Sequence, residues 1–251
     1  MTVLEVNGLK KYYGKTKAVD GISFSLESGQ VTGLLGPNGA GKTTTLKCIT
    51  GLLRKTEGTI TIEGMDHRDD EARAKLCYIP EVPDIYEGLT VWDHFKFIAL
   101  AYGLENWEER ANDLMERFDL MEKRNELGMH LSKGMKQKLA IICAFIHDAR
   151  TILFDEPLIG IDPKGARELK DMIIEAKENG CSVLISTHML DTAERLCDRI
   201  IILRSGQKIA EGTLAELQER ARLTQDATLE DMFLTLTAEG SASESTGLPG
   251  L

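Results

Sequence analysis

Residues 36–44 read GPNGAGKTT and lie between the β-branched run VTGLL (31–35) and a helical pattern that begins near Lys42. The spacing GxxxxGK[ST] is met in the strand, loop, helix setting that gives it meaning. Gly36, Gly39 and Gly41 let the backbone turn tightly enough for successive N–H groups to face one anion, and the helix N-terminus adds the positive end of its dipole. Pro37, Asn38 and Ala40 complete a cradle suited to polyphosphate. Lys42 is expected to reach the β- and γ-phosphates as a compact cation. Thr43 is expected to coordinate Mg²⁺ bridging the same groups, and Thr44 to add a phosphate hydrogen bond. A glycine-rich turn that merely contains a lysine is the bland alternative, and the flanking strand and helix speak against it.

A loop of this kind asks for parallel strands. TILF (151–154), SVLIS (182–186) and RIIIL (199–203) are short β-branched runs separated by longer helical patterns, as buried parallel strands are. LEV (4–6), ISFSL (22–26) and TITIE (59–63) alternate instead, which predicts a small antiparallel layer beside the main sheet. From Thr90 to about Lys123 the pattern is helical, with Trp92, Phe95, Ile98 and Ala99 near one face. Further helical patterns cover Lys164 to Glu178 and Leu190 to Leu196, and Leu229, Met232, Phe233 and Leu236 keep the spacing of one apolar stripe. The expected fold is α/β, a P-loop NTPase with a mostly parallel central sheet, an N-terminal antiparallel β subdomain and an inserted helical subdomain at about 83–135. It is expected to occupy residues 1–236, with 237–251 as a flexible tail because EGSASESTGLPGL is small, polar and without period.

Composition narrows the function classes. With 42% hydrophobic and 28% charged residues in 251, the chain can bury a sizeable core, which excludes wholesale disorder. The longest apolar run, Leu139 to Ile146, falls far short of the roughly 18 residues that suggest a membrane span. MTVLEVNGLKKYY lacks the order of a secretory signal, so the cytoplasm is the default compartment. Five scattered cysteines with no CxxC pair fit reduced thiols. A net charge of −10 opposes the diffuse phosphate attraction of non-specific nucleic-acid binding.

A second cluster of chemistry follows TILF. Asp155 and Glu156 stand at the carboxyl edge of a strand, where ligands gather in open parallel sheets. Asp155 suits Mg²⁺, chiefly through its water shell, and Glu156 could orient or deprotonate a water attacking the γ-phosphate. Alone, such a pair reads as a helix-capping turn, but beside the lysine loop it reads as catalytic. Ser132 in HLSKGMKQKLAIICAF could cap a helix beginning around Lys133.

GPNGAGKTT, LSKGMKQ, ILFDEP, IGID and STH follow one another in that order, and the whole resembles the ATP-binding subunit of ABC transporters over roughly residues 1–236. The resemblance implies ATP hydrolysis with Mg²⁺ and head-to-tail pairs of cassettes, a homodimer here. In such a pair Ser132 and Gly134 touch the γ-phosphate held by the other subunit. It implies further that Tyr13, rather than Tyr12, stacks on adenine, although a packed surface tyrosine is the alternative. Asp162 would lie in the segment joining the two active sites. His188, which alone would read as structural, would contact the γ-phosphate or position the water, alongside Lys42 and Glu156 as catalytic residues. Three positions depart from the family pattern. LSKGM puts Lys133 and Met135 where LSGGQ has glycine and glutamine, and Glu81 replaces a glutamine that links metal to the helical subdomain. A carboxylate there could still reach Mg²⁺, and a solvated loop acid is the other reading.

With no membrane span of its own, the transporter reading requires a separate integral permease docking near 83–123, which places the chain on the cytoplasmic face of the membrane. YIPEVPDIYEGLT, SKGMKQK and LEDMFLTLT look most like bacterial exporter ATPases of the Ecs type. A non-transport ABC ATPase acting on nucleic acid or ribosome is the competing class. The long coiled-coil insertions and doubled cassettes of such relatives are not in this sequence, and no nucleic-acid partner is expected. A soluble P-loop kinase or GTPase would explain GPNGAGKTT but not LSKGMKQ.

Overall fold

The computed structural model describes residues 1–224 and 227–242. Two sheets form. Strands β1 (Thr2–Tyr13), β2 (Thr16–Glu27), β4 (Glu57–Ile62) and β5 (Met65–Asp66) make an antiparallel sheet in the order β2-β1-β4-β5. Strands β3 (Val31–Leu35), β6 (Leu76–Ile79), β7 (Thr151–Asp155), β8 (Ser182–Thr187), β9 (Arg199–Arg204) and β10 (Gln207–Gly212) make the second, in the order β10-β9-β3-β8-β7-β6. Within it β9, β3, β8, β7 and β6 run parallel, and β10 is antiparallel to β9. The chain is an α/β protein of the expected class, with a mostly parallel sheet and a separate antiparallel one.

The helices are α1 (Lys42–Ile49), α2 (Asp70–Arg73), α3 (Val91–Tyr102), α4 (Trp107–Arg117), α5 (Lys133–His147), α6 (Pro163–Glu178), α7 (Leu190–Leu196), α8 (Leu214–Ala221) and α9 (Leu229–Ala242). Their ends follow from local chemistry. Thr90 and Asp93 form a reciprocal capping box at α3, and Ser132 caps α5 by accepting the Met135 N–H. Pro163 opens α6 where its missing N–H costs nothing.

Alternation along the central strands divides the core in two. Leu34, Leu153, Leu184 and Ile201 face β1, β2 and α1, while Val31, Phe154, Ile185 and Ile202 face the helices α5 and α6. Both faces are covered, so the strands read as continuous apolar runs. LCYI (β6) is too short and QKIAEG (β10) too polar to stand out in the sequence, because one borrows its burial from helices on either side and the other is an edge strand. The last helix runs on to Ala242, beyond the point where the tail was expected to lose structure. The rest of that expected tail, 243–251, lies outside the described residues.

Candidate nucleotide site

At the carboxyl ends of β3 and β7 the chain forms an open cleft of roughly 770 Å³. Pro37 to Thr44, Glu81, Glu156, Ile159 and His188 line it. The cleft is shaped by two backbone turns. Gly41 holds φ at 102°, and a Cβ built there would stand 2.5 Å from the Ala18 carbonyl oxygen, so the start of α1 is seated directly on β2. Only glycine satisfies both demands. At the other wall β7 ends and Glu156 adopts φ of 49°, a left-handed conformation that is uncommon for a glutamate. Its N–H donates to the Ser186 carbonyl at 2.9 Å, which fixes the strained turn against β8 and aims the carboxylate at the loop.

The polar groups interlock. Lys42, 7% exposed, donates from Nζ to the Gly36 carbonyl at 2.7 Å and lies 3.8 Å from Glu156 Oε1. His188 Nδ1 is 2.9 Å from the same Oε1, while Glu156 Oε2 is buried with no hydrogen-bond partner. Asp155 is engaged by three hydroxyls: Oδ1 accepts from Thr43 at 3.1 Å and from the Ser186 hydroxyl, and Oδ2 accepts from Tyr78 at 3.3 Å. Burial, and after it the carboxylates of Asp155 and Glu81, push the Tyr78 phenol well above its ordinary range, so it stays a donor.

The structure thus brings together the phosphate loop, Glu81, Asp155, Glu156 and His188, with Asp155 behind Thr43 rather than on the cleft wall. Four other expected residues stand apart from the cleft lining. Tyr13 is 48% exposed with the Lys11 ammonium 4.7 Å from its ring centroid, and the Tyr12 hydroxyl is committed to Asp20. Ser132 and Gly134 sit at the start of α5, and Asp162 caps α6. Sequence reasoning gave no role to Ser186, although it stands in STH, or to Tyr78, a lone hydroxyl in an apolar strand. Ser205, also on the cleft, gave no signal, and Ile159 lies in IGID without a role of its own.

The family described as ABC transporter matches residues 19–159, more than half of the chain. The chain belongs to the ABC transporter family. This cassette is 42% identical over 97% of its length, and 100% of the relative's, to the ABC-type transporter ATP-binding protein EcsA of Bacillus subtilis (strain 168). It is 35% identical to the SkfA peptide export ATP-binding protein SkfE of the same organism, covering 88% of this chain and 93% of that one. Among solved structures, an ATP binding subunit of an ABC transporter superposes with a TM-score of 0.90 at 38% identity, covering 94% of this chain and 99% of that one. An ABC transporter cassette in its ADP conformation superposes at 0.73 with 27% identity, covering 92% and 98%. The cassette is an ATP-binding subunit with the ATPase fold of its family. Among the described residues no helix is long and apolar enough to cross a membrane.

Proposed function

We propose that this cassette hydrolyses ATP as half of a head-to-tail homodimer and thereby drives export through a separate integral membrane permease, on whose cytoplasmic face it sits. The observation that carries the reading is the division of the site: the phosphate loop and Glu156 share one cleft, while Ser132 and Gly134 lie outside it on another helix start. A second copy supplies what one chain lacks. The backbone N–H groups at the start of α5 then face the γ-phosphate bound by the partner, and the nucleotide becomes part of the interface. Tyr13, exposed at the end of β1, is free to stack on adenine once its Lys11 neighbour shifts.

The residues present fit Mg²⁺. The Thr43 hydroxyl lies on the cleft, and the Asp155 carboxylate behind it and Glu81 beside it supply the oxygen chemistry a hard cation takes. When bound, the ion neutralises charge on the phosphates. Lys42 leaves the Gly36 carbonyl to meet the phosphates. The Glu156 carboxylate accepts the proton of the attacking water, and His188, bonded to Oε1, holds it in place. Residues 83–135, carrying α3 and α4, form the helical subdomain on which the permease docks, and Glu81 leads into it. The name of one relative, the peptide export ATP-binding protein SkfE, supports export.

The test is assembly. Light scattering of Glu156→Gln is expected to give a monomer in ADP and a dimer in ATP, and tagged chain purified from native membranes is expected to retain an integral protein. A chain that stays monomeric in ATP, with and without that protein, overturns the reading.

A further inference from the structure

A second hollow, of roughly 370 Å³, lies between the end of α1 and the turn that leads from β5 into α2. It shares no lining residue with the nucleotide cleft. Arg54, Lys55, Glu57, His67 and Arg68 are its ionisable lining residues. Glu57 is already paired with Lys10 at 2.7 Å, and Asp66 beside the hollow holds Arg68 by bonds of 2.8 and 3.0 Å from Nε and Nη2. The Nη1 of Arg68 is not engaged by Asp66. Among the described residues neither Arg54 nor Lys55 has a carboxylate partner. Lys55, half-buried, turns its Nζ instead to His67 Nε2, 3.3 Å away.

The His67 ring is buried, and its Nδ1 lies 3.0 Å from the Ile49 carbonyl oxygen at the end of α1. A neutral ring with its proton on Nδ1 satisfies both neighbours, donating to Ile49 and accepting from Lys55. Burial, and after the opposing Ile49 carbonyl bond the Lys55 charge, hold the ring below its ordinary pKa; Asp66 then raises it and Arg68 lowers it. An ammonium drawn partly out of water toward a neutral ring has donors to spare and lacks an anion. The chain as a whole carries −10, so an anion that settles here is drawn by these groups and not by a general field.

We infer that this hollow is a binding site for a phosphate-bearing anion, with Lys55 and His67 on its floor and the exposed guanidinium groups of Arg54 and Arg68 at its rim. Ammonium, imidazole and two guanidinium groups bring together more donors than the two oxygens of a carboxylate take up, which suits the several free oxygens of a phosphate. As the anion enters, Lys55 leaves Nε2 for it, and Nε2 takes up a proton from solvent, so that both groups donate to the anion. The anion favours the charged ring, so binding draws in a proton and tightens as the pH falls.

A free phosphate and a lipid headgroup present the same group, and the test separates them. The His67 ring nitrogens are followed by NMR, their signals assigned as those missing from His67→Gln, with ADP and Mg²⁺ saturating so that the phosphate loop is occupied. The free-anion probe is sulfate, whose charge is constant over the range, compared with chloride at equal ionic strength. Sulfate is expected to shift the His67 ring saturably. The double variant Arg54→Gln with Lys55→Gln is expected to weaken that binding by about tenfold or more, as loss of charge-assisted hydrogen bonds does, with ADP affinity unchanged. Sulfate affinity is expected to rise about threefold or more from about pH 8 to about pH 5.5, and to lose that slope in His67→Gln. Flotation with phosphatidylglycerol vesicles, absent with phosphatidylcholine and in the double variant, assigns the anion to a lipid headgroup. Saturable sulfate binding without flotation assigns it to a free phosphate. Should His67→Gln fail to fold, sulfate affinity by calorimetry in wild type and the double variant decides without it. The site is overturned if sulfate moves the ring no more than chloride does, or equally in the double variant, and no vesicle binding depends on Arg54 and Lys55. A flat pH dependence in wild type overturns the part given to His67.

Discussion

Replacing Glu156 by glutamine separates chemistry from folding, because the site sets the size of each effect. The carboxylate is buried, 3.8 Å from the Lys42 ammonium, and its Oε2 has no partner. Removing the charge forfeits an attraction of about 4 kcal/mol, from 332/(20 × 3.8), at the effective dielectric that suits such sites. It also releases the carboxylate from a desolvation penalty of several kcal/mol, which opposes that loss, while Lys42 keeps its bond to the Gly36 carbonyl. Glutamine can still accept the His188 hydrogen bond but cannot accept a proton from water, and general-base assistance contributes roughly 10²- to 10⁴-fold. That range is about 3–5 kcal/mol of barrier. Phosphate release from saturating ATP is expected to fall at least about 100-fold, with nucleotide affinity by calorimetry preserved. Turnover within a factor of about ten of wild type, in a variant that binds ATP and melts normally, would refute the role given to Glu156.

Gly41→Ala forces a Cβ to within 2.5 Å of the Ala18 carbonyl oxygen at a φ of 102°. The loop must move off β2, so ATP binding should be lost and urea denaturation should show a penalty of about 1–3 kcal/mol; wild-type affinity in this variant would contradict the seating of the cradle. His67 supplies a pH dependence. Its ring is 2% exposed, with Nδ1 3.0 Å from the Ile49 carbonyl and Nε2 3.3 Å from Lys55 Nζ. Burial first, and the Lys55 charge after the opposing carbonyl bond, hold its pKa below the ordinary 6.5. The unfolded chain therefore takes up this proton first as the pH falls. Stability is full above about 6.5 and is lost as the pH drops from there through the folded-state pKa. The decline of melting temperature between about pH 7 and pH 5 should be shallower in His67→Gln, and parallel declines would reject the assignment.

The phosphate loop, the DE pair at the end of TILF and the helix starts at Thr90 and Ser132 were legible in the sequence, because each rests on chemistry between residues a few positions apart. The spacing of Gly36, Gly39, Gly41 and Lys42 fixes a strand, loop and helix wherever they are placed, and Ser132 caps α5 by a bond to Met135, three residues on. Parallel strands were readable for the same reason, since burial on both faces leaves runs such as TILF and RIIIL with no polar side. Tertiary structure alone decided which side chains meet across the chain. Asp155 gathers hydroxyls from Thr43, Tyr78 and Ser186, and Lys138 finds Asp162, through packing of elements that local pattern leaves independent. The same packing gave alternate residues of each central strand two different cores to enter and gave QKIAEG a neighbour to pair with. Hydrogen bonds between distant segments depend on how sheets and helices stack, and that stacking is set by the summed burial of the whole chain rather than by any one stretch of it.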